Sequence, residues 1–253
     1  MNLRHIFILP ALLTAMACSD DSPVTPDTPD TPDGPDITNS VEKLVSIDAG
    51  QTFQTIAGFG ASDCWTPAFV GKSWTSHRAG ITELLFSSEI VGGKPKGIGL
   101  SQWRVNLGGG SAAQGEACGI EDKSRRAESY LTDDLTYDWT RCEGQRYFMD
   151  RAKELGCNNF VLFSNTPPVQ YTYNGKGFSA RGGLSNLKPE HYGDFAGYMA
   201  DVAARYTAEG YHISHISPVN EPQYNWDSGQ EGSGWTNDEV AALARELDMS
   251  LDD

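Results

Sequence analysis

Residues 159–164 read "NFVLFS", a near-continuous apolar run. A strand covered on both faces reads this way, because water on one face would impose alternation. Strand-like and helix-like segments alternate around it. "LVSID" (44–48), "FQTIAGFG" (53–60), "LSQWRVNL" (100–107) and "ISHISPVN" (213–220) read as strands. Between them, "SHRAGITELLFSS" (76–88) places Ile81, Leu84 and Leu85 on one helical face. In "EGQRYFMDRAKELG" (143–156), Tyr147, Phe148, Arg151, Ala152 and Leu155 recur at helical spacing, and Gly156 is placed to cap the end. A third helix is predicted over 188–210, with Pro189 in its first turn and an apolar stripe from Tyr192 to Tyr206. Thr236 and Glu239 have the spacing of a capping box that opens a fourth. Strand–helix alternation implies parallel strands with helices outside them. The predicted class is therefore α/β, with about four strand–helix units between residues 58 and 253. A doubly wound sheet and half of an eight-stranded barrel both fit. The chain ends inside its last helix, so the expectation is a unit cut short.

Residues 1–17 read as an export signal: Arg4 and His5 precede the apolar run "IFILPALLTAMA" (6–17), which is too short to span a bilayer. Small residues then lead to Cys18, and the arrangement resembles lipoprotein signals whose cysteine becomes the lipidated first residue. The alternative is an ordinary signal with a stray cysteine. Residues 18–40 repeat Thr-Pro-Asp and hold almost nothing apolar, as an extended, disordered tether does. The expected location is the outer membrane or cell surface of a Gram-negative bacterium, with a periplasmic position as the other reading; the acidic "SDD" after Cys18 resembles surface-export signals.

The net charge is −15. One arginine against six aspartates in residues 1–40 leaves −10 on the rest. A chain this acidic is not built to bind nucleic acid, whose phosphates need a basic surface. Four cysteines follow Cys18, and Cys118 and Cys142, flanking one loop-like stretch, are the pair expected to bond in an exported protein. No metal or cofactor is predicted: His212 and His215 lie three apart on a strand and point to opposite faces, and Gly58-x-Gly60 lacks the third glycine of a dinucleotide fingerprint.

In a parallel α/β barrel, chemistry sits at the carboxyl ends of the strands. The first strand delivers Asp63 and Trp65 there, the second Arg104, Asn106 and Gly108–Gly110, the third Ser164 and Asn165, and the fourth Asn220 and Glu221, with Tyr224 and Trp226 just beyond. Aromatic rings, amides, an arginine and a carboxylate suit a neutral polyhydroxylated ligand. Plainer readings exist for each: Trp65 as a core residue, Arg104 as a structural ion-pair partner, the glycines as a turn, Asp227 and Glu231 as a solvated loop. Asn220-Glu221-Pro222 resists them best. A carboxylate at the end of a buried strand is costly unless used or paired, and burial would tune it as a general acid.

"VNEP" resembles the acid/base motif of the retaining (β/α)8 glycoside hydrolases. Together with "GFGASDCW", "WRVNLGGG" and "FSNTPPVQYTYNGKGFS", it makes residues 44–250 resemble glycoside hydrolase family 30, and the endo-β-1,6-galactanase branch more than the glucosylceramidase branch. The resemblance implies Glu221 as acid/base and Asn220 as its sugar-binding neighbour. It implies Arg104 as the residue that orients the nucleophile, and Asp63, Trp65, Ser164 and Asn165 as cleft contacts. It also implies the N-terminal half of a TIM barrel, with residues 41–57 as the first strands of a side β-domain. The family's nucleophile, a second Glu after the seventh strand, has no counterpart here. The expectation is a truncated glycosidase, inactive alone, whose substrate is a β-linked polysaccharide such as β-1,6-galactan. The alternative is a non-catalytic glycan-binding surface lipoprotein.

Overall fold

The computed structural model describes residues 46–252. In chain order its elements are β1 (Gly60–Ser62), α1 (Thr66–Ser73), α2 (Arg78–Phe86), β2 (Ile90–Val91), β3 (Lys94–Pro95), β4 (Gln102–Asn106), α3 (Ser111–Gln114), α4 (Glu143–Glu154), β5 (Asn159–Phe163), α5 (Tyr192–Ala208), β6 (Ile213–Ser217) and α6 (Asn237–Asp252). Four strands form one sheet in the order β1-β4-β5-β6, and every pairing in it is parallel. The register sets Ser62 beside Arg104, Asn106 beside Phe163, and Phe163 beside Ser217. All four strands thus end along one edge. A small antiparallel hairpin, β2–β3, sits apart from this sheet and has no counterpart in the sequence reading.

The two central strands are buried as the apolar run predicts. Trp103 and Val105 of β4 and Phe160, Leu162 and Phe163 of β5 are enclosed. Trp103 meets Phe86 of α2 edge-on at 4.9 Å and stacks on Phe148 of α4 at 6.5 Å. From the other direction α5 presents Phe195, Ala196, Met199, Val202, Ala203 and Tyr206 as one buried stripe. Tyr206 shares a 2.7 Å hydroxyl–hydroxyl hydrogen bond with Tyr130, so this core polar pair is satisfied. Gly71 on α1 and Gly144 on α4 let those helices touch backbone to backbone. A Cβ on Gly144 would lie 2.0 Å from the Ala68 carbonyl oxygen, and one on Gly71 2.1 Å from that of Gly144.

Helix ends follow local chemistry. At α4 the chain turns through Gly156 at φ +97°, a left-handed conformation that costs glycine little. At α6 the Glu239 N–H donates to Thr236 Oγ1 and the Thr236 N–H donates to Glu239 Oε2, which completes the capping box. α5 begins at Tyr192, after a 3-10 turn over Pro189–His191. On α2 the buried side chains are Thr82 and Phe86, with Ile81 and Leu85 half-buried; Leu84 is exposed, which corrects its place in the predicted face.

Three further expectations are corrected. β6 is half-buried rather than fully buried, because it pairs with β5 alone among the described residues. "FQTIAGFG" is not a strand; only Gly60 of it enters β1. Main-chain pairing with the second strand's segment begins at Phe59, whose carbonyl accepts from the Ser101 and Gln102 N–H groups. Upstream of that, Ile56 is exposed. Cys118 and Cys142 are both buried free thiols. Cys118 Sγ instead accepts the Ile120 N–H at 3.3 Å inside its own turn. Cys142, at φ +60°, stands just before α4.

Residues 46–53 belong to a separate unit and contain a turn in which Asp48 Oδ1 accepts the Gly50 N–H at 2.9 Å. The strand expected over 44–48 falls partly outside the described residues, and 46–48 carry none. The signal segment, Cys18 and the tether lie outside the described residues altogether. No described helix is long and apolar enough to cross a membrane.

Candidate active site

Arg104 leaves the end of β4 and joins the second strand to the fourth. Its Nη2 donates to Asn220 Oδ1 at 2.8 Å, and its Nη1 reaches Ser62 Oγ on β1 at 3.4 Å. The guanidinium lies 3.4 Å from the ring centroid of Phe163, the last residue of β5. A cation over an aromatic face is attracted by the ring's quadrupole, so Phe163 sets the plane in which Arg104 can fork. Burial lowers the Arg104 pKa, opposed by the nearby Cys64, Asp63 and Glu221. The arginine is a bridge between strand ends rather than one half of a salt bridge.

Asn220 and Glu221 follow β6 where the sequence places them. Glu221 is exposed, which corrects the expectation of a buried carboxylate. Among the described residues β6 has a partner strand on one side only, and the side chain reaches solvent. Its backbone is unusual: φ is +43°, a region that residues with a Cβ seldom occupy. The proline that follows disfavours helical conformations at this position as well. The Glu221 carbonyl accepts two hydrogen bonds, from the Tyr224 N–H at 3.0 Å and from the Trp226 indole Nε1 at 3.2 Å.

Other predicted contacts are used by the protein itself. Asp63 is 1% exposed: its Oδ1 accepts the Asn106 N–H at 2.9 Å and its Oδ2 accepts Gln145 Nε2 at 2.8 Å. It ties β1 to β4 and to α4. Burial pushes its pKa to about 7, against the Asn106 and Gln145 donors and the Arg104 charge, which hold it down. Ser164 is buried and donates to the Thr166 carbonyl at 2.8 Å within its own loop. Trp226 is 4% exposed and packs on Gly232, so it offers no open face to a ligand. Tyr224, 58% exposed, meets the edge of Trp226 at 4.8 Å. Trp65 is half-buried at the start of α1, with the Arg125 guanidinium 5.8 Å from its ring.

Two buried amide atoms at strand ends have no partner among the described residues: Asn165 Nδ2 and Asn106 Oδ1. An unpaired buried polar atom costs about 1–3 kcal/mol.

The sequence reading missed two residues. Gln145 of α4 holds Asp63 and also donates to the Asn106 carbonyl at 2.8 Å; nothing in a helical amide announces that role. Glu231, read as part of a solvated loop, is 0% exposed. Its carboxylate accepts the Gly109 N–H at 2.8 Å and the Ser111 N–H at 3.0 Å. The glycines after β4 are required by space and conformation: a Cβ on Gly108 would lie 2.3 Å from the Glu128 carbonyl oxygen, one on Gly109 2.5 Å from Thr166 Cγ2, and Gly110 stands at φ +98°. Burial raises the Glu231 pKa and the Gly109 and Ser111 donors oppose the rise. The signal was present in "GQEGSG" (229–234), a lone acid among small residues. Among the described residues no three His, Cys, Asp or Glu stand together as a metal site.

Asp63 makes stability depend on pH with a defined sign. Its folded pKa of about 7 lies above the ordinary 3.8, so the folded state holds the extra proton between those values. The contribution is complete below about pH 4, falls as pH rises through 7, and is flat above. Asp63→Asn cannot titrate. The stability of wild type relative to Asp63→Asn, measured by chemical denaturation, should therefore fall between pH 4 and 7. A difference independent of pH would contradict the assignment.

Residues 42–253 match the model of O-glycosyl hydrolase family 30. The chain is similar to an endo-β-1,6-galactanase of Hypocrea rufa, 26% identical over 227 residues that cover 82% of this chain and 46% of the relative. Among solved structures it is similar to a conserved exported protein from Bacteroides fragilis, with TM-score 0.77, 37% identity, and 81% of this chain and 43% of that one covered. It also shares the fold of the catalytic domain of a family 30 xylanase C from Talaromyces cellulolyticus, with TM-score 0.57, 20% identity, and 80% and 45% covered. The chain thus spans less than half the length of each of these relatives. With that match over most of its length, and with a four-stranded parallel sheet that forms part of a barrel, the chain belongs to glycoside hydrolase family 30.

Proposed function

We propose that this chain is the front part of a retaining glycosidase and that Glu221 is its acid/base. The observation that carries the reading is the hydrogen bond from Arg104 to Asn220, which gathers the ends of β4 and β6 beside an accessible carboxylate. A retaining glycosidase needs two carboxyl groups about 5–5.5 Å apart. Asp63 is also near Arg104 in charge terms, but it is enclosed and already accepts two hydrogen bonds, so it is not free to attack a sugar. The nucleophile belongs to a part of the enzyme outside this sequence, in keeping with coverage of under half of each relative. In the first step Glu221 gives its proton to the leaving glycosidic oxygen. In the second it takes a proton from water, which attacks the glycosyl–enzyme. Asn220, held by Arg104, binds a hydroxyl of the sugar at the bond being broken.

The substrate we propose is a β-linked polysaccharide, with β-1,6-galactan favoured by the likeness to the Hypocrea rufa enzyme. We also propose export and anchoring through Cys18, supported by the apolar run at 6–17 and by the likeness to an exported Bacteroides fragilis protein.

In the full-length protein, Glu221→Gln should lower turnover on polysaccharide by roughly 10²–10⁴-fold, the worth of general acid–base catalysis. An activated aryl glycoside needs little protonation of its leaving group, so its first step should suffer less, and azide should restore the second by replacing water. Equal losses on both substrates without azide rescue would remove Glu221 from this role. For the anchor, wild-type protein should fractionate with membranes and Cys18→Ala should be released; a wild type already released rejects lipidation.

A further inference from the structure

Trp226, on the sequence reading a sugar contact, has its indole turned toward the protein. Nε1–H donates to the Glu221 carbonyl at 3.2 Å. The ring is wedged against the backbone of Gly232, where a Cβ would lie 2.2 Å from Cδ2 and Cε3. The Trp226 carbonyl accepts the Ala180 N–H at 2.8 Å, so the third-strand loop grips the same residue. Gly232 is fixed in turn: its N–H donates to the Gly177 carbonyl at 2.8 Å and its carbonyl accepts the Ser179 N–H at 3.0 Å. Next to it, buried Glu231 is bound to the Gly109 and Ser111 N–H groups. A continuous chain of contacts therefore runs from the second-strand glycines through Glu231, Gly232 and Trp226 to the main chain of Glu221.

At the end of that chain Glu221 has φ +43° and precedes a proline. Strained conformations of this kind persist where the surroundings over-determine them. From this geometry we infer that Trp226 is a positioning residue: its indole N–H clamps the Glu221 carbonyl and holds the backbone in the left-handed conformation that aims the carboxylate. The inference rests on the acid/base reading of Glu221. It accounts for a buried tryptophan five residues after the carboxylate, and for a glycine against its ring.

The test uses the full-length protein and Trp226→Phe, which keeps the aromatic packing and deletes the donor. Turnover on polysaccharide should fall about tenfold to 10²-fold, the range for a catalytic group displaced by about 1 Å. KM should change by less than about threefold, because the sugar contacts remain. Azide should raise the turnover of Trp226→Phe on an activated aryl glycoside and leave wild type unaffected. Unchanged turnover, or a loss confined to KM, overturns the clamp. Glu221→Gln is measured in parallel: if it keeps wild-type turnover, the acid/base reading fails instead, so the two failures are distinguishable. A second measurement needs no activity. Glycine has no Cβ penalty at φ +43°, so Glu221→Gly should denature at a higher midpoint than Glu221→Ala. Equal midpoints, or a lower one for glycine, would show that the residue is not held there. This comparison can overturn the clamp even if Trp226→Phe does not fold.

Discussion

Parallel pairing of β1, β4, β5 and β6 is the constraint on which the rest depends. In a parallel sheet every strand runs the same way, so all four carboxyl ends meet along one edge. Residues far apart in sequence become neighbours there: Ser62, Arg104, Phe163 and Asn220 come from four different strand ends yet form one contact set. The apolar faces of β4 and β5 hold this edge rigid from beneath, through the stack of Phe86, Trp103 and Phe148 and the buried stripe of α5. This edge is therefore a consequence of core packing on one side and strand direction on the other.

Three carboxylates at this edge illustrate how environment divides labour among identical groups. Asp63 and Glu231 are buried, and each is satisfied by directed donors, so each ties strand ends or loops together. Of the three, Glu221 alone is open to solvent; its carbonyl accepts the Trp226 indole N–H while its side chain remains accessible. Chemistry on a substrate needs the last arrangement. The first two supply the stiffness that makes it useful, because a loop tied at both ends loses little order when a ligand binds.

Much of this was legible in the sequence. The run at 159–164 identified the buried strand β5, Gly156 and the Thr236–Glu239 pair marked helix ends, and the strand-end motifs put Arg104, Asn220 and Glu221 at one edge of the sheet, where they lie. What the sequence could not convey was partnership. A pattern of apolar residues describes a face, but not whether another strand lies alongside it, so β6 read as buried and 53–60 read as paired. The same limit applies to polar side chains. Asp63 and Ser164 sit at strand ends as a ligand contact would, yet each is taken up by the protein's own groups. Trp226 follows the acidic motif as a sugar platform would, yet the turn through Glu221 folds its ring inward. Cys118 and Cys142 bracket a loop, but spacing along the chain does not bring two sulfurs together.

The central claim is that Arg104, Asn220 and Glu221 form one sugar-binding, bond-breaking site. The most direct measurement is a crystal structure of the full-length Glu221→Gln protein with an uncleaved oligosaccharide of its substrate. The scissile glycosidic oxygen should lie within about 3 Å of the side chain at position 221, the reach of a hydrogen bond that can carry a proton. A hydroxyl of the adjoining sugar should bind Asn220, with Arg104 still on the far side of that amide. An oligosaccharide seated elsewhere, or one whose linkage oxygen is out of hydrogen-bond reach of position 221, would contradict the account.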